Sequence, residues 1–196
     1  MCRFPSGQET SKQQGRVNLA LFTSSRADRG ASLPKEAIWL IIRFVLFENL
    51  PGRWYKLKCW VLRRFGANIG KGVVIQPGVK IGFPWRLHIG DYVWLGEEAL
   101  LINLDPITIE SNCCVSQRAI LCTGNHDYTS PSFNRNNRPI YLEQGCWIAS
   151  NAWVGPGVRV GSHAVLTAGS VASHDLEPYG IYQGNPAVCI RTRHIR

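Results

Sequence analysis

The chain has 196 residues, of which 45% are hydrophobic and 18% are charged. This composition excludes a wholly disordered chain and a protein with many membrane spans, and the length suits one domain with a terminal appendage. Residues 1–65 carry 12 basic and 4 acidic side chains, a surplus of eight, whereas residues 66–196 carry 10 and 9. Since no nucleic-acid motif accompanies this charge, we expect no nucleic-acid partner; an anionic membrane surface remains open.

Residues 1–34 are polar, rich in Ser, Arg and Gly, and lack the apolar stretch of a secretory signal. We predict that they form a disordered tail. The seven cysteines are odd in number and include no Cys-x-x-Cys pair. Both features favour reduced thiols and a cytoplasmic location.

Two apolar segments follow, at 37–47 and 54–65. Neither reaches the roughly 20 apolar residues needed to span a bilayer. The second is amphipathic on a helical wheel, with an aromatic side and a basic side. We predict a helical cap over residues 35–65 that covers the open end of the next domain. Peripheral contact of this cap with the inner face of the cytoplasmic membrane is a second interpretation.

Aliphatic residues recur every six positions beyond the cap. The residue after each anchor is often Gly, which we attribute to bends that need a permissive backbone. The anchors are Ile69, Ile75, Ile81, Ile89, Leu95, Leu101, Ile107, Cys113, Ala119, Leu142, Ile148, Val154, Val160 and Leu166. One short strand and one bend per hexad, three per coil, predict a parallel β-helix of about five coils over residues 66–180.

The repeat breaks in two places. Ile81 and Ile89 are eight positions apart, which predicts a two-residue bulge at a corner. Ala119 and Leu142 are twenty-three positions apart, which predicts a polar loop over 121–141. Long loops on rigid scaffolds often carry function. This loop contains His126, and an imidazole can take a proton from a hydroxyl group.

Residues 66–193 resemble the hexapeptide-repeat acyltransferases, most closely the WcaF-type colanic acid biosynthesis acetyltransferases. The resemblance rests on the stretches NLDPITI at 103–109, CTGNHD at 122–127 and YQGNPA at 182–187, and on the aromatic N-terminal helices. It implies an all-β, left-handed parallel β-helix, a homotrimer, and acetyl-CoA as co-substrate between two subunits. It also implies an O-acetyltransferase of exopolysaccharide biosynthesis, acting on a sugar or a lipid-linked oligosaccharide.

The resemblance further implies roles for single residues. His126 is the general base. Asn103 and Asp127 match acceptor-binding positions, although both are also ordinary turn residues. The positions that match the donor site are Trp147, Ser150, Ala168, Ser173 and Arg191, of which Arg191 faces the nucleotide phosphates. The remaining residues, 181–196, are interpreted as a basic C-terminal tail.

Other functions fit the same repeat. A zinc lyase of the γ-carbonic anhydrase type needs about three converging histidines, and His88, His126 and His163 share no such spacing, so we expect no metal. A non-catalytic scaffold predicts no binding of acetyl-CoA. Serine and antibiotic acetyltransferases remain open within the same fold.

Overall fold

The computed structural model describes residues 15–23, 29–50 and 54–196. From Asn68 onward the chain winds through three sheets as a parallel β-helix, which confirms the predicted fold class. Sheet A contains β1 (Asn68–Ile69), β4 (Leu87–Ile89), β7 (Ile107–Ile109), β10 (Ile140–Leu142) and β13 (Arg159–Val160). Sheet B contains β2 (Val74–Ile75), β5 (Trp94–Leu95), β8 (Cys114–Val115), β11 (Trp147–Ile148), β14 (Val165–Leu166), β16 (Gly180–Gly184) and β17 (Ala187–Thr192). Sheet C contains β3 (Lys80–Ile81), β6 (Leu100–Ile102), β9 (Ile120–Cys122), β12 (Trp153–Val154) and β15 (Val171–Ala172).

Five coils of three strands each are complete, and β16 begins a sixth. All fourteen predicted anchors are buried inside the prism. The register differs from the prediction in one coil, because Ile89 pairs with Ile109 and not with Ile107. The corner after β6 therefore contains two extra residues, as the corner after β3 does. A shift of two residues keeps a side chain on the same face of a strand, so Ile107 is buried in either register.

Two helices cover the first coil. Helix α1 (Leu33–Ile42) continues as wider π-helical turns over Arg43–Asn49, and helix α2 (Tyr55–Arg64) follows. Their inward side chains, among them Trp39, Phe47 and Leu62, join the same hydrophobic core as the coils. No helix in 15–23, 29–50 or 54–196 is long and apolar enough to cross a membrane.

The helices also donate hydrogen bonds to the open edge of each sheet. Strands at a sheet edge present unpaired carbonyl groups, which are costly when buried. The donors meet sheets C, B and A in turn: Trp39 Nε1 to Ile81 O at 3.1 Å, Lys58 Nζ to Gln76 O at 3.2 Å, and Arg63 Nε to Ile69 O at 3.0 Å. Lys58 is fully buried, and this burial lowers the pKa of its ammonium group.

The two chain ends add to the prism. Within the segment predicted as a basic tail, β16 and β17 form an antiparallel hairpin at the edge of sheet B. The predicted disordered tail falls partly outside the described residues, at 1–14 and 24–28, where it stays a prediction. Residues 15–23 contain a short 3₁₀ turn (Leu19–Leu21) and contact the loop predicted at 121–141, through a hydrogen bond from Asn18 N to Pro131 O.

Candidate active site

The predicted loop leaves the coil after β9 and returns at β10, at the corner between sheets C and A. Its two arms are joined by backbone hydrogen bonds, from Asp127 N to Asn134 O at 2.7 Å and from Asn136 N to Asn125 O at 2.9 Å. The arms make the loop a short antiparallel hairpin with a turn at its tip. His126 lies on the first arm, bridged to Arg135 on the second.

The imidazole of His126 is fixed by a hydrogen bond and two aromatic rings. Its Nδ1 lies 2.8 Å from the carbonyl oxygen of Phe133. Because a carbonyl can only accept, Nδ1 carries a proton in this contact, and in the neutral imidazole Nε2 then presents a lone pair. The Phe133 ring stacks on the imidazole at 4.5 Å with an interplanar angle of 13°, and the Phe22 ring lies 5.9 Å away at 55°. A half-buried neutral imidazole with a free Nε2 can act as a base.

Asp127 adjoins His126 in sequence, but its carboxylate turns to the loop tip. Its Oδ1 accepts from the backbone N and from Oγ1 of Thr129, at 2.9 and 2.6 Å. The Thr129 hydroxyl and then its backbone N–H lower the pKa of the Asp127 carboxyl. The arrangement is that of a turn-forming aspartate.

Asn103 lies at the same corner, one coil nearer the cap. The side chain is fully buried, and both ends of its amide bind Phe83: Oδ1 accepts from Phe83 N at 2.8 Å and Nδ2 donates to Phe83 O at 2.6 Å. These bonds join the extra residues of two successive corners. Full burial and these two bonds give Asn103 a structural role between the corners, and its acceptor-binding role stays a prediction.

Two of the predicted donor residues share the outer face of sheet B. Trp147 on β11 is in register with Val165, Val165 with Ile181, and Ile181 with Arg191 on β17. With strands about 4.8 Å apart, Trp147 and Arg191 are separated by about 14 Å along this row. Trp147 is partly exposed, and its Nε1 donates to Ser116 Oγ at 2.9 Å.

The other predicted donor residues lie at two different corners. Ser150 and Ala168 occupy the same corner between sheets B and C in successive coils, where Gly169 N donates to Ser150 O. Ser173 lies beyond β15 at the corner between sheets C and A, where its hydroxyl contacts Nδ1 of His174 at 3.0 Å. The row from Trp147 to Arg191 and the adjoining corner with Ser150 and Ala168 form one surface. This surface carries small side chains, an aromatic ring and a guanidinium. The His126 loop lies at another corner of the same chain.

Sequence reasoning missed three residues around the imidazole. Phe133 is the one aromatic residue between the loop tip and β10, so a search for a partner within the loop could have found it. Arg135 lies with its guanidinium carbon 5.6 Å from the Phe22 ring centre. Nothing in the pattern indicated Phe22, which lies in a polar segment more than one hundred positions before His126. Across the described ranges, no three His, Cys, Asp or Glu side chains converge on a point where a metal could bind.

The chain is similar to known proteins in both sequence and fold. No protein-family model matches the chain. WcaF of Escherichia coli strain K12, named as a candidate acetyltransferase of colanic acid biosynthesis, is 40% identical over 176 residues, which are 90% of this chain and 97% of that protein. The galactoside O-acetyltransferase of the same strain is 24% identical over 67% of this chain and 66% of its own length.

Two solved structures have the same fold as this chain. A hexapeptide-repeat acetyltransferase of Vibrio cholerae, complexed with acetyl coenzyme A, matches with a TM-score of 0.74 at 21% identity, over 85% of this chain and 92% of that one. A galactoside acetyltransferase complexed with coenzyme A matches with a TM-score of 0.73 at 20% identity, over 82% of each chain. With a relative 40% identical over nearly its whole length, the chain belongs to the WcaF-type hexapeptide-repeat acetyltransferases.

Proposed function

We propose that this acetyltransferase moves an acetyl group from acetyl-CoA to a sugar hydroxyl, with His126 as the general base, in the biosynthesis of an exopolysaccharide of the colanic acid type. The geometry of His126 carries the proposal. Its Nδ1 proton is held by the Phe133 carbonyl, which leaves the Nε2 lone pair for a hydroxyl proton. The name of the relative WcaF supports the pathway, and the name of the galactoside O-acetyltransferase supports a sugar acceptor.

Acetyl-CoA supplies the acetyl group as a reactive thioester. Trp147, Ser150 and Ala168 would border its pantetheine arm, and Arg191 would pair with its phosphates. The outer face of sheet B fits such a ligand because its corner residues are small and its far edge carries a guanidinium. Ser173 would make a further contact with acetyl-CoA. The base at Nε2 would accept the hydroxyl proton as the new ester bond forms and the thioester C–S bond breaks. The imidazolium, stabilised through Nδ1–H by the Phe133 carbonyl, would then return the proton to the CoA thiolate, which leaves as the thiol.

We propose a homotrimer in which each site lies between two protomers. In one chain the His126 loop lies at the corner between sheets C and A, whereas the row from Trp147 to Arg191 lies on the face of sheet B, so a neighbouring copy would bring them together. The same argument applies to the acceptor, which would lie between the loop of one protomer and sheet B of the next. Asp127 would bind the acceptor through Oδ2, because its Oδ1 is held by Thr129.

The substitution His126→Ala tests the base. We expect CoA release in the presence of an exopolysaccharide-derived oligosaccharide to fall about 100- to 10,000-fold, the usual loss for a general base. The exposed His194 provides the matched control, since His194→Ala removes an imidazole outside the loop. Near-wild-type turnover by the His126→Ala variant would refute the assignment.

Mixed trimers test the shared site with the same variant. Coexpression of His126→Ala chains with Arg191→Ala chains produces some interfaces in which both residues are intact. We expect these trimers to recover part of the activity that each pure variant lacks. If the mixture is no more active than its components, the site does not lie between protomers.

We further propose that the helical cap contacts an anionic membrane surface, where a lipid-linked acceptor would be found. Ile41 and Val45 from the first helical segment and Leu57 from α2 line one apolar groove, and all three are exposed. Exposed basic side chains, Lys56 and Arg64 among them, lie on the same cap. Sedimentation with lipid vesicles measures this contact.

A further inference from the structure

We propose that Phe22 is a positioning residue for His126: the segment 15–23 packs against the loop and holds the imidazole in the rotamer that leaves Nε2 free. This inference rests on the proposed role of His126 as the base. It concerns a part of the chain that precedes the β-helix and the cap.

The segment is attached to the tip of the loop through its backbone. Asn18 N donates to Pro131 O at 2.8 Å, two residues before Phe133. The Asn18 side chain then accepts from Ala20 N at 3.1 Å and caps the 3₁₀ turn Leu19–Leu21. The turn is closed by a hydrogen bond from Phe22 N to Leu19 O at 3.1 Å. These bonds fix where the Phe22 side chain leaves the backbone.

Within residues 15–23, Phe22 alone is partly buried, and its neighbours are exposed. Its ring meets two groups of the loop, the imidazole of His126 at 5.9 Å and the guanidinium of Arg135 at 5.6 Å. Arg135 and His126 face each other across the two arms. Phe22 therefore lies over the point where the arms are bridged, and it contacts both of them.

The imidazole needs this second ring for a physical reason. Rotation of a histidine ring about its last torsion is broad and nearly two-fold, so packing must select one orientation. One orientation places Nδ1 on the Phe133 carbonyl, and rotation by half a turn removes that bond. The Phe133 ring stacks on the imidazole, and a tilted contact from Phe22 limits rotation further. Aromatic pairs prefer such stacked and tilted geometries.

The test compares Phe22→Ala with Leu21→Ala, which removes an exposed side chain without a ring from the same turn. We expect Phe22→Ala to lower kcat about two- to tenfold, the range set by one aromatic contact, with an unchanged KM for acetyl-CoA. Phe22→Tyr keeps the ring and is expected to restore kcat, whereas Leu21→Ala matches the wild type. The same substitutions are made in the His126→Ala background, where Phe22→Ala should have no further effect.

Imidazole nitrogen NMR of the full-length protein, with labelled histidine, reports the tautomer directly. The His126 signals are assigned by their loss in His126→Ala. We expect a single tautomer protonated at Nδ1 in the wild type and in Leu21→Ala, and a mixture in Phe22→Ala. An unchanged His126 pattern in Phe22→Ala, or an equal fall of kcat in both backgrounds, would overturn the proposal. A fully active His126→Ala variant would instead refute the role of His126 as the general base. That measurement involves no Phe22 variant, so the two failures can be told apart.

Discussion

Glycine is needed in this coil for two separate reasons. Gly90 follows an anchor and has an ordinary backbone, but a Cβ there would lie 2.6 Å from Ser111 N in the next coil. Gly169 has a φ of +69°, with nothing within 4 Å of a built Cβ. The sequence pattern led us to attribute glycines of the first kind to bends. The left-handed residues in fact come two positions later, as at Tyr92 and Glu98.

Substitutions at these two positions should therefore behave differently. Gly90→Ala forces a backbone contact and is expected to cost about 1–3 kcal/mol of unfolding free energy, and Gly90→Asn should cost more. Gly169→Ala is expected to cost about 1 kcal/mol, and Gly169→Asn less than that, because Asn tolerates the left-handed conformation. Denaturant unfolding at a fixed protomer concentration measures all four. If Gly90→Asn costs less unfolding free energy than Gly90→Ala, the steric explanation is wrong.

Single residues also show what the sequence can and cannot indicate. The pattern singles out His126 because this residue lies in a long polar loop that interrupts a regular repeat. The role of Asn103 stays a prediction, since a buried amide that joins two corners has the same sequence signature as one that faces a ligand. Phe22 could not be found, because its partners are distant in the chain and its own segment has neither apolar periodicity nor a motif.

The helical cap is the element whose role depends most on hydrogen bonding. Its donors reach the edge carbonyls of all three sheets, and Trp39 Nε1 serves two of them, Ile81 O at 3.1 Å and Gly82 O at 2.9 Å. The apolar pattern predicted that these helices cover the core. The helical wheel places Lys58 on the apolar side of α2, but it gives no reason for a buried ammonium group there, because periodicity does not show which carbonyl groups of a sheet edge need a donor.

Trp39→Phe isolates this donor. The variant keeps an aromatic ring but leaves the two carbonyls without their partner, so we expect a loss of about 1–3 kcal/mol in unfolding free energy, and more if a cavity remains. Trp60→Phe makes the same chemical change on the exposed side of α2, and its effect should stay within about 0.5 kcal/mol. Chemical denaturation compares the two variants. Similar losses in both would show that the edge hydrogen bonds contribute little.

At the scale of the whole molecule, positive charge and exposed apolar surface coincide at one end. The described residues of the cap, 29–50 and 54–65, carry seven basic and two acidic side chains, whereas residues 66–196 are nearly neutral, with an excess of one. The basic end is thus the end that would face an anionic bilayer. The His126 loop, which leaves the third coil, would then lie on the membrane side of the prism, as the proposed lipid-linked acceptor requires.

The triple variant Ile41→Ser, Val45→Ser and Leu57→Ser tests this orientation. We expect its partitioning onto vesicles containing phosphatidylglycerol to fall at least about tenfold, since burial of each such side chain contributes about 1.5–3 kcal/mol. Binding by the wild type should also weaken with salt. Tyr128→Ser, at the exposed loop tip, is the matched control. Equal sedimentation of the triple variant and the wild type would remove the membrane from the proposal.

The β-helix was predictable because its sequence repeats every six residues and each coil packs only against the coils next to it. Each hexad repeats the same two inward positions, so Ile107 could be misaligned by two residues without changing the fold. The assembly of the site was less accessible. Which corner carries the loop and which face carries Trp147 depends on register, and register depends on insertions that the hexad pattern places only approximately.

The capped edge has a consequence for self-association. A stack of parallel strands has no intrinsic length limit, and every uncovered rung is a template for the next chain, as in a fibril. Here the first rung is closed by side-chain donors from the helices, and at the opposite end sheet B finishes in a strand that runs backwards. Both features would oppose end-to-end stacking of chains, so the homotrimer proposed above would have to form through the sides of the prism.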